Sequence, residues 1–182
     1  PMLRHAERWV LRALEFSLVA LLAGMVAMVF GNVVLRYLFN SGIDVSEELS
    51  RYFFVWLTFI GAVVVMRENG HLGVDSLVGA LGDKGRRLCM VASDAIVFLC
   101  CLMLLEGTWK QQAINESAVA PVTGISMAYV YGVLYFAGAG IALITLGRLF
   151  RALTGKLGPY ELAEFAGDYS ASPSHNLKGH LE

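Results

Sequence analysis

The sequence predicts an all-α membrane protein with four transmembrane helices and amphipathic helices at the membrane surface. Hydrophobic residues make up 57% of its 182 residues, and the mean hydropathy is +0.61. A soluble domain is usually only about 45–50% apolar. The chain also contains four separate apolar runs, each close to the ~20 residues with which a helix crosses ~30 Å of hydrocarbon.

The N-terminal segment differs from the four apolar runs. Residues 2–15 place apolar side chains on one helical face and arginines and glutamates largely on the others. This pattern predicts an amphipathic helix lying in the membrane interface, with Trp9 as its anchor. The apolar run that follows predicts the first spanning helix at about 16–37.

A charged segment precedes the second spanning helix, which is predicted at about 47–67. Asp44 and Glu47 have the spacing of a capping box, and Ser46 is an alternative N-cap residue. Glu47 and Arg51 are four residues apart, so they lie on one face of the helix and can pair there.

Two questions about these charges stay open: which partners they have, and whether the segment contacts a second protein. Asn32 and Arg36 lie near the end of the first span, where they could partner the carboxylates of Glu47 and Glu48, or Arg36 could simply reach the headgroups. The segment as a whole is either a solvated helix end or a docking surface for a second membrane subunit. The docking surface is considered because Glu48 and Arg51 begin the same helix that carries Trp56 deeper in the membrane, where unpaired charges are costly.

The connection after the second span carries His71 and Asp75 at the start of a short amphipathic pattern. This pattern predicts a second interfacial helix at about 73–83. A lone histidine is more often a structural hydrogen-bonding residue than a ligand, and no second histidine stands in a span. We therefore do not expect a haem-binding anchor. The three cysteines fall in one apolar run and indicate neither a disulfide framework nor a zinc site.

The third span, predicted at about 88–106, contains an aspartate, Asp94. A carboxylate at the centre of a membrane helix costs about 2.5–3.5 kcal/mol on insertion scales, so Asp94 is expected to face protein. It could serve as an interhelical hydrogen-bonding group or as a proton or ion site. The fourth span is predicted at about 127–148, and 152–182 is expected to be a polar cytoplasmic tail.

Basic residues predict the orientation of the chain, because cytoplasmic loops of membrane proteins carry an excess of lysine and arginine. The side of the membrane that holds both termini has the larger number: Arg4, Arg8, Arg12, Arg67, Lys84, Arg86, Arg87, Arg148, Arg151, Lys156 and Lys178. The other side has three: Arg36, Arg51 and Lys110. Both termini are therefore expected to be cytoplasmic.

Composition and charge placement narrow the function. A net charge of −1 gives no indication of a nucleic-acid partner, and no nucleophile and base pair suggests an enzyme. A carrier that works alone normally shows polar residues or broken helices at midplane depth. Here the charges gather at helix ends, which favours a scaffold for another membrane protein. The alternative is a self-sufficient small multidrug or ion carrier that uses Asp94.

The segment 45–77 combines the acidic pair Glu47 and Glu48 followed by Ser-Arg-Tyr, an apolar core with Val-Trp-Leu at 55–57, and the pattern of His71 and Asp75. This combination resembles a known family, the small membrane subunits (DctQ-like) of tripartite ATP-independent periplasmic (TRAP) transporters. The resemblance extends to Asn32, Arg36 and Tyr37 in the first helix and covers roughly residues 10–155.

This resemblance implies a sodium-coupled uptake system of the bacterial inner membrane. In such systems a periplasmic binding protein delivers an organic anion, such as a dicarboxylate, sialic acid or other sugar or keto acid, to a large multi-helix subunit. The small subunit is expected to bind neither substrate nor cofactor, to contact the large subunit, the binding protein and lipids, and to leave the sodium ions to its large partner. The residues implied in subunit contacts or in a polar network are Arg36, Glu47, Glu48, Arg51, Trp56, His71 and Asp75.

Overall fold

The structure is a computed structural model that describes residues 2–67, 80–156 and 158. Within these residues the regular structure is helical, and its four long helices are α1 (Met2–Phe39), α2 (Asp44–Arg67), α3 (Asp83–Ser117) and α4 (Met127–Leu153). All four are long and apolar enough to cross a membrane. The predicted all-α fold with four spanning helices is confirmed.

The first helix is longer than the predicted span because α1 continues without interruption from Met2 to Phe39. The change from an amphipathic to an apolar pattern near residue 15 involves no helix-breaking residue, so the backbone stays helical through it. The placement of 2–15 in the membrane interface stays a prediction. The helix ends where Asn40 adopts a left-handed φ of 50°, a conformation that asparagine tolerates better than most residues.

The third helix also extends beyond its predicted end at Glu106 and reaches Ser117. Its last turns are polar and contain side-chain pairs four residues apart. Nζ of Lys110 lies 2.6 Å from Oε1 of Glu106, and Nε2 of Gln112 donates to Oε1 of Glu116 at 2.8 Å. Such pairs stabilise exposed helices. The apolar run therefore predicts how much of α3 can span a membrane, but it does not predict where the helix ends.

Two predicted segments lie largely outside the described residues. The interfacial helix at about 73–83 falls there except for its last positions, and Asp83 is the first residue of α3. The predicted tail 152–182 is described only at its start, where α4 continues to Leu153. Gly155 follows with a left-handed φ of 73°, as is common just after a helix end.

The described chain divides into two compact units. Unit 1 contains the described residues up to Val64 together with Leu104–Ala139, and unit 2 contains those of Val65–Met103 and those from Gly140 onward. In unit 1, α2 packs closely on α1, because a Cβ atom added at Gly24 would lie 3.1 Å from the ring of Phe53. Small residues allow this kind of close approach between membrane helices.

Helix α4 approaches α3 in unit 1 at another glycine. A Cβ atom at Gly138 would lie 2.9 Å from side-chain atoms of Leu105, closer than real contacts allow, whereas a Cβ at Gly132 on the same helix would meet nothing within 4 Å. The position of Leu105 against α4 therefore requires a glycine at 138.

Replacing Gly138 by valine is expected to lower the free energy of unfolding by about 1–3 kcal/mol, because overpacking forces Leu105 or the backbone to move. The matched control is Gly132→Val, which makes the same change of helix propensity in open space. Unfolding of both variants in mixed micelles measures the difference, and equal destabilisation would show that the contact with Leu105 contributes nothing.

Few residues of the four helices are fully buried within the described chain. In the most apolar stretch of each helix, the share of residues that are buried is 6% for α1, 28% for α2, 17% for α3 and 33% for α4. Large apolar side chains are correspondingly exposed along α1, with Phe16 and Phe30 among them. In a membrane, such a surface contacts either lipid or another protein.

Candidate functional site

The end of unit 1 that holds the connection between α1 and α2 contains a three-residue polar cluster. A guanidinium nitrogen of Arg36 lies 2.9 Å from Oε1 of Glu47, and the side-chain amide of Asn32 donates to the same oxygen at 3.4 Å. The carbonyl oxygen of Asn32 accepts a hydrogen bond from the backbone N–H of Ile43 at 2.8 Å. The predicted pairing of Asn32 and Arg36 with a carboxylate of α2 is thus present, with Glu47 as the carboxylate.

This cluster replaces the interactions expected within α2. Asp44 is the first residue of the helix, and Glu47 pairs with Arg36 of α1 instead of with Arg51. The hydroxyl of Ser46 donates to the carbonyl oxygen of Met28 at 2.8 Å instead of capping the helix. The expectations of a Glu47–Arg51 pair and of Ser46 as N-cap are wrong, because both side chains point to α1 and not along their own helix.

Glu48 has a different role from its neighbour Glu47. Its carboxylate is buried and accepts hydrogen bonds from the backbone N–H groups of Thr123 at 2.7 Å and Val122 at 3.4 Å. These groups belong to the nine-residue connection between α3 and α4, residues 118–126, which we call the 118–126 turn. Glu48 therefore fixes this turn to the first turns of α2. The sequence could not indicate this link, because Glu48 binds backbone N–H groups and not a side chain.

Arg51 and Trp56 lie on different faces of α2. Arg51 is exposed and shares its face with the exposed Phe54 and Thr58, and it forms no ion pair with any described residue. Trp56 is 38% exposed and lines an open apolar groove of about 270 Å³. The other lining residues come from α1, α2 and the α4 region: Leu21, Leu49, Tyr52, Phe53, Ile125, Tyr129 and Val130. The structure does not bring Arg51 and Trp56 together.

Unit 2 contains a buried ion pair between α3 and α4. Nε of Arg148 lies 3.4 Å from a carboxylate oxygen of Asp94, and the two side chains are 4% and 2% exposed. Arg148 also approaches the sulfur atom of Met66 at 3.8 Å. The expectation that Asp94 faces protein is confirmed. The sequence did not indicate Arg148 as the partner of Asp94, because an arginine near a helix end is already explained as a charge at the cytoplasmic boundary.

A second arginine, Arg87, caps the C-terminal end of α4 in unit 2. The guanidinium of Arg87 donates from Nε to the backbone carbonyl oxygen of Ala152 at 2.9 Å, and its Nη2 contacts the same oxygen. The last carbonyl groups of a helix lack partners within the helix and carry partial negative charge, so a guanidinium is a favourable cap there.

Two predicted site residues, His71 and Asp75, lie outside the described residues. Within the part of the chain that is described, no group of three or more histidine, cysteine, aspartate or glutamate side chains could hold a metal ion. The described polar groups instead connect helices: Glu47 links α2 to α1, Glu48 links α2 to the 118–126 turn, and Asp94 links α3 to α4.

These features define a multi-pass membrane protein whose ionised side chains join its helices to one another. The sequence profile of one family, the DctQ component of tripartite ATP-independent periplasmic transporters, matches residues 25–155. The chain belongs to this DctQ family and is a small permease subunit of a TRAP transporter.

Similarity to individual proteins agrees with this assignment. The chain is 38% identical over 152 residues to a TRAP transporter small permease protein of Haemophilus influenzae, which covers 84% of this chain and 94% of that protein. It is 30% identical over 96 residues to the C4-dicarboxylate TRAP transporter small permease protein DctQ of Vibrio cholerae. That match covers 53% of this chain and 41% of that protein. It is 23% identical over 129 residues to the sialic acid TRAP transporter permease protein SiaT of Haemophilus influenzae, covering 70% of this chain but 20% of that protein.

Proposed function

We propose that this small subunit is a scaffold that braces the large subunit of a sodium-coupled, binding-protein-dependent transporter for an organic anion. The observation that carries the proposal is the small number of fully buried residues in its helices, which make up 6% of the most apolar stretch of α1. A chain whose helices leave so many apolar side chains exposed is suited to packing against a second membrane protein. In this proposal the sodium ions and the anion bind to the large subunit.

The similarity to SiaT supports an association of this kind. A segment resembling the present chain makes up only a fifth of that permease, so a four-helix segment of this type can be continuous with the rest of a permease chain. Relatives of this chain include small permease subunits of C4-dicarboxylate and sialic acid TRAP transporters from Vibrio cholerae. Both substrates are organic anions, and this is the class that we propose for the complete transporter.

We further propose that the chain lies in the bacterial inner membrane with both termini in the cytoplasm. The end of α2, the start of α3 and the end of α4 carry the basic residues Arg67, Lys84, Arg86, Arg87, Arg151 and Lys156, whereas the α1–α2 connection and the 118–126 turn carry none. The positive-inside rule then directs the 118–126 turn to the periplasm.

Co-purification tests the scaffold proposal. The tagged chain, expressed with its cognate large permease, is extracted in mild detergent and separated by size. We expect a stoichiometric complex with the large permease. Recovery of the chain only as a homodimer would contradict the proposal.

Replacing Arg51 by glutamate is expected to weaken that complex at least ~tenfold, a loss of about 1.4 kcal/mol, without preventing membrane insertion. The reason is that Arg51 is an exposed cation on a spanning helix without an ion-pair partner among the described residues, so we expect a partner subunit to supply one. Lys110→Glu is the control, because Lys110 is also exposed but already paired with Glu106. Unchanged uptake and an intact complex in Arg51→Glu would remove Arg51 from the contact.

A further inference from the structure

Basic residues gather in unit 2 where the start of α3 meets the end of α4. The guanidinium of Arg87 donates from Nε to the carbonyl oxygen of Ala152 at 2.9 Å, which holds these two helix ends together. Gly155, just beyond the end of α4, lies beside the same guanidinium, because a Cβ atom added there would be 3.7 Å from Nη2 of Arg87. We call the basic residues around these contacts the basic junction: Lys84, Arg86, Arg87, Arg151 and Lys156.

The charge of the basic junction is only partly neutralised within the described residues. Nη1 of Arg86 lies 3.9 Å from Oδ1 of Asp83, and exposed pairs of this kind interact weakly. Arg87 binds a neutral carbonyl oxygen, which satisfies donors but cancels no charge. Lys84 and Lys156 are exposed and form no ion pair with any described residue. The basic junction therefore attracts an anion.

Exposed apolar side chains adjoin the basic junction on both helices. Leu88 of α3 directly follows Arg87 and is 71% exposed. Phe150 and Leu153 of α4 stand on either side of Arg151 in the sequence and are 66% and 69% exposed. A phospholipid combines a charged phosphate with hydrocarbon chains, so it matches both kinds of surface, whereas a soluble anion matches only the basic one.

We propose that the basic junction binds the headgroup of an anionic phospholipid, whose acyl chains lie along the exposed apolar side chains of α3 and α4. Basic pockets between membrane helices are suited to such headgroups, and charged donors form the stronger hydrogen bonds to phosphate oxygens. The bond between Arg87 and Ala152 fixes the two helix ends before a lipid arrives, so little order has to be imposed on binding. The inference goes beyond the proposed function and does not depend on it, because it concerns this chain and the lipid alone.

Native mass spectrometry of the purified full chain, released from detergent micelles with added lipid, tests the inference. The probes are dioleoylphosphatidylglycerol, which is anionic, and dioleoylphosphatidylcholine, which has the same acyl chains but no net charge. We expect the chain to bind phosphatidylglycerol at least about tenfold more tightly than phosphatidylcholine. Equal affinity for the two lipids would overturn the inference.

A triple variant locates the lipid on the chain. Lys84→Gln/Arg151→Gln/Lys156→Gln removes three charges of the basic junction but keeps Arg87, which holds the two helix ends together. We expect this variant to lose the preference for phosphatidylglycerol and to keep the wild-type affinity for phosphatidylcholine, which reports that the apolar surface is intact. An undiminished preference would show that the lipid binds elsewhere.

Two controls separate the site from other sources of attraction. Arg8→Gln/Arg12→Gln/Lys110→Gln removes three exposed basic residues of unit 1 and makes the same change in net charge. We expect this variant to keep the preference, and an equal loss in both triple variants would mean that net charge alone attracts the lipid. Excess glycerol phosphate should not displace phosphatidylglycerol from the wild-type chain. Displacement would assign the basic junction to a soluble phosphate and overturn the lipid site.

Discussion

Replacing Arg148 by methionine is expected to be among the most damaging single changes to this chain, lowering the free energy of unfolding by about 3–5 kcal/mol. The substitution leaves the Asp94 carboxylate buried without its guanidinium, and an uncompensated buried charge costs about this much. Both side chains are almost fully buried between α3 and α4, so water cannot replace the lost partner. Reversible unfolding in mixed micelles measures the change.

A double variant separates the charge effect from the loss of packing. In Asp94→Leu/Arg148→Met both charges are gone and apolar volume remains, and replacing a whole buried ion pair in this way is often neutral or stabilising. We expect most of the stability lost in Arg148→Met to return. If the double variant is as unstable as the single one, the ion pair is not the cause.

The same double variant tests the alternative that Asp94 is the ion site of a carrier. A carrier that uses Asp94 would lose transport even when its stability is restored. In the proposed scaffold, transport through the complex returns together with stability, because the ion pair of Asp94 serves to join α3 to α4. A stable double variant that forms the complete complex but cannot transport would favour the carrier.

Replacing Glu48 by glutamine is expected to destabilise the chain and to loosen the 118–126 turn. The buried carboxylate accepts from the N–H groups of Val122 and Thr123. A neutral amide provides a weaker acceptor and brings donors of its own toward these N–H groups. Hydrogen exchange measures the effect directly, since the amides of the turn should exchange faster in the variant.

The adjacent glutamate provides the control for this prediction. Glu47→Gln removes a carboxylate whose pair with Arg36 is 46–59% exposed, and exposed pairs contribute only about 0.2–1 kcal/mol. Amide exchange in the 118–126 turn should stay unchanged in Glu47→Gln. Equal acceleration in both variants would mean that general loosening of the end of α2, and not the bonds to the turn, controls the exchange.

The sequence was sufficient to predict four spanning helices, because the length of each apolar run can be read directly from it. It was also sufficient for the burial of Asp94, since the cost of exposing a carboxylate to lipid leaves few alternatives. It could not identify Arg148 as the partner, because the positive-inside rule already accounts for an arginine at that place. Finding it required the relative rotation of α3 and α4, which depends on packing that a single sequence does not show.

The partners of the two glutamates show a second limit of prediction. The spacing of Glu47 allowed pairing with Arg51 on its own helix or with Arg36 on α1, and only the helix packing decides between them. Glu48 binds backbone N–H groups, which every residue except proline has, so no pattern of residue types could have indicated Val122 and Thr123. Its role follows from the path of the chain.

The bond between Glu48 and Thr123 joins residues 75 positions apart and has a consequence for synthesis of the protein. Membrane helices insert first and pack afterwards. Glu48 therefore enters the membrane well before its partners are made, but at a helix end where water can solvate it meanwhile. Asp94 is inserted before Arg148 as well, in the interior of α3. We expect α3 to stay beside the insertion machinery until α4 arrives, so that nascent chains truncated before Arg148 are released into lipid less readily than chains that include it.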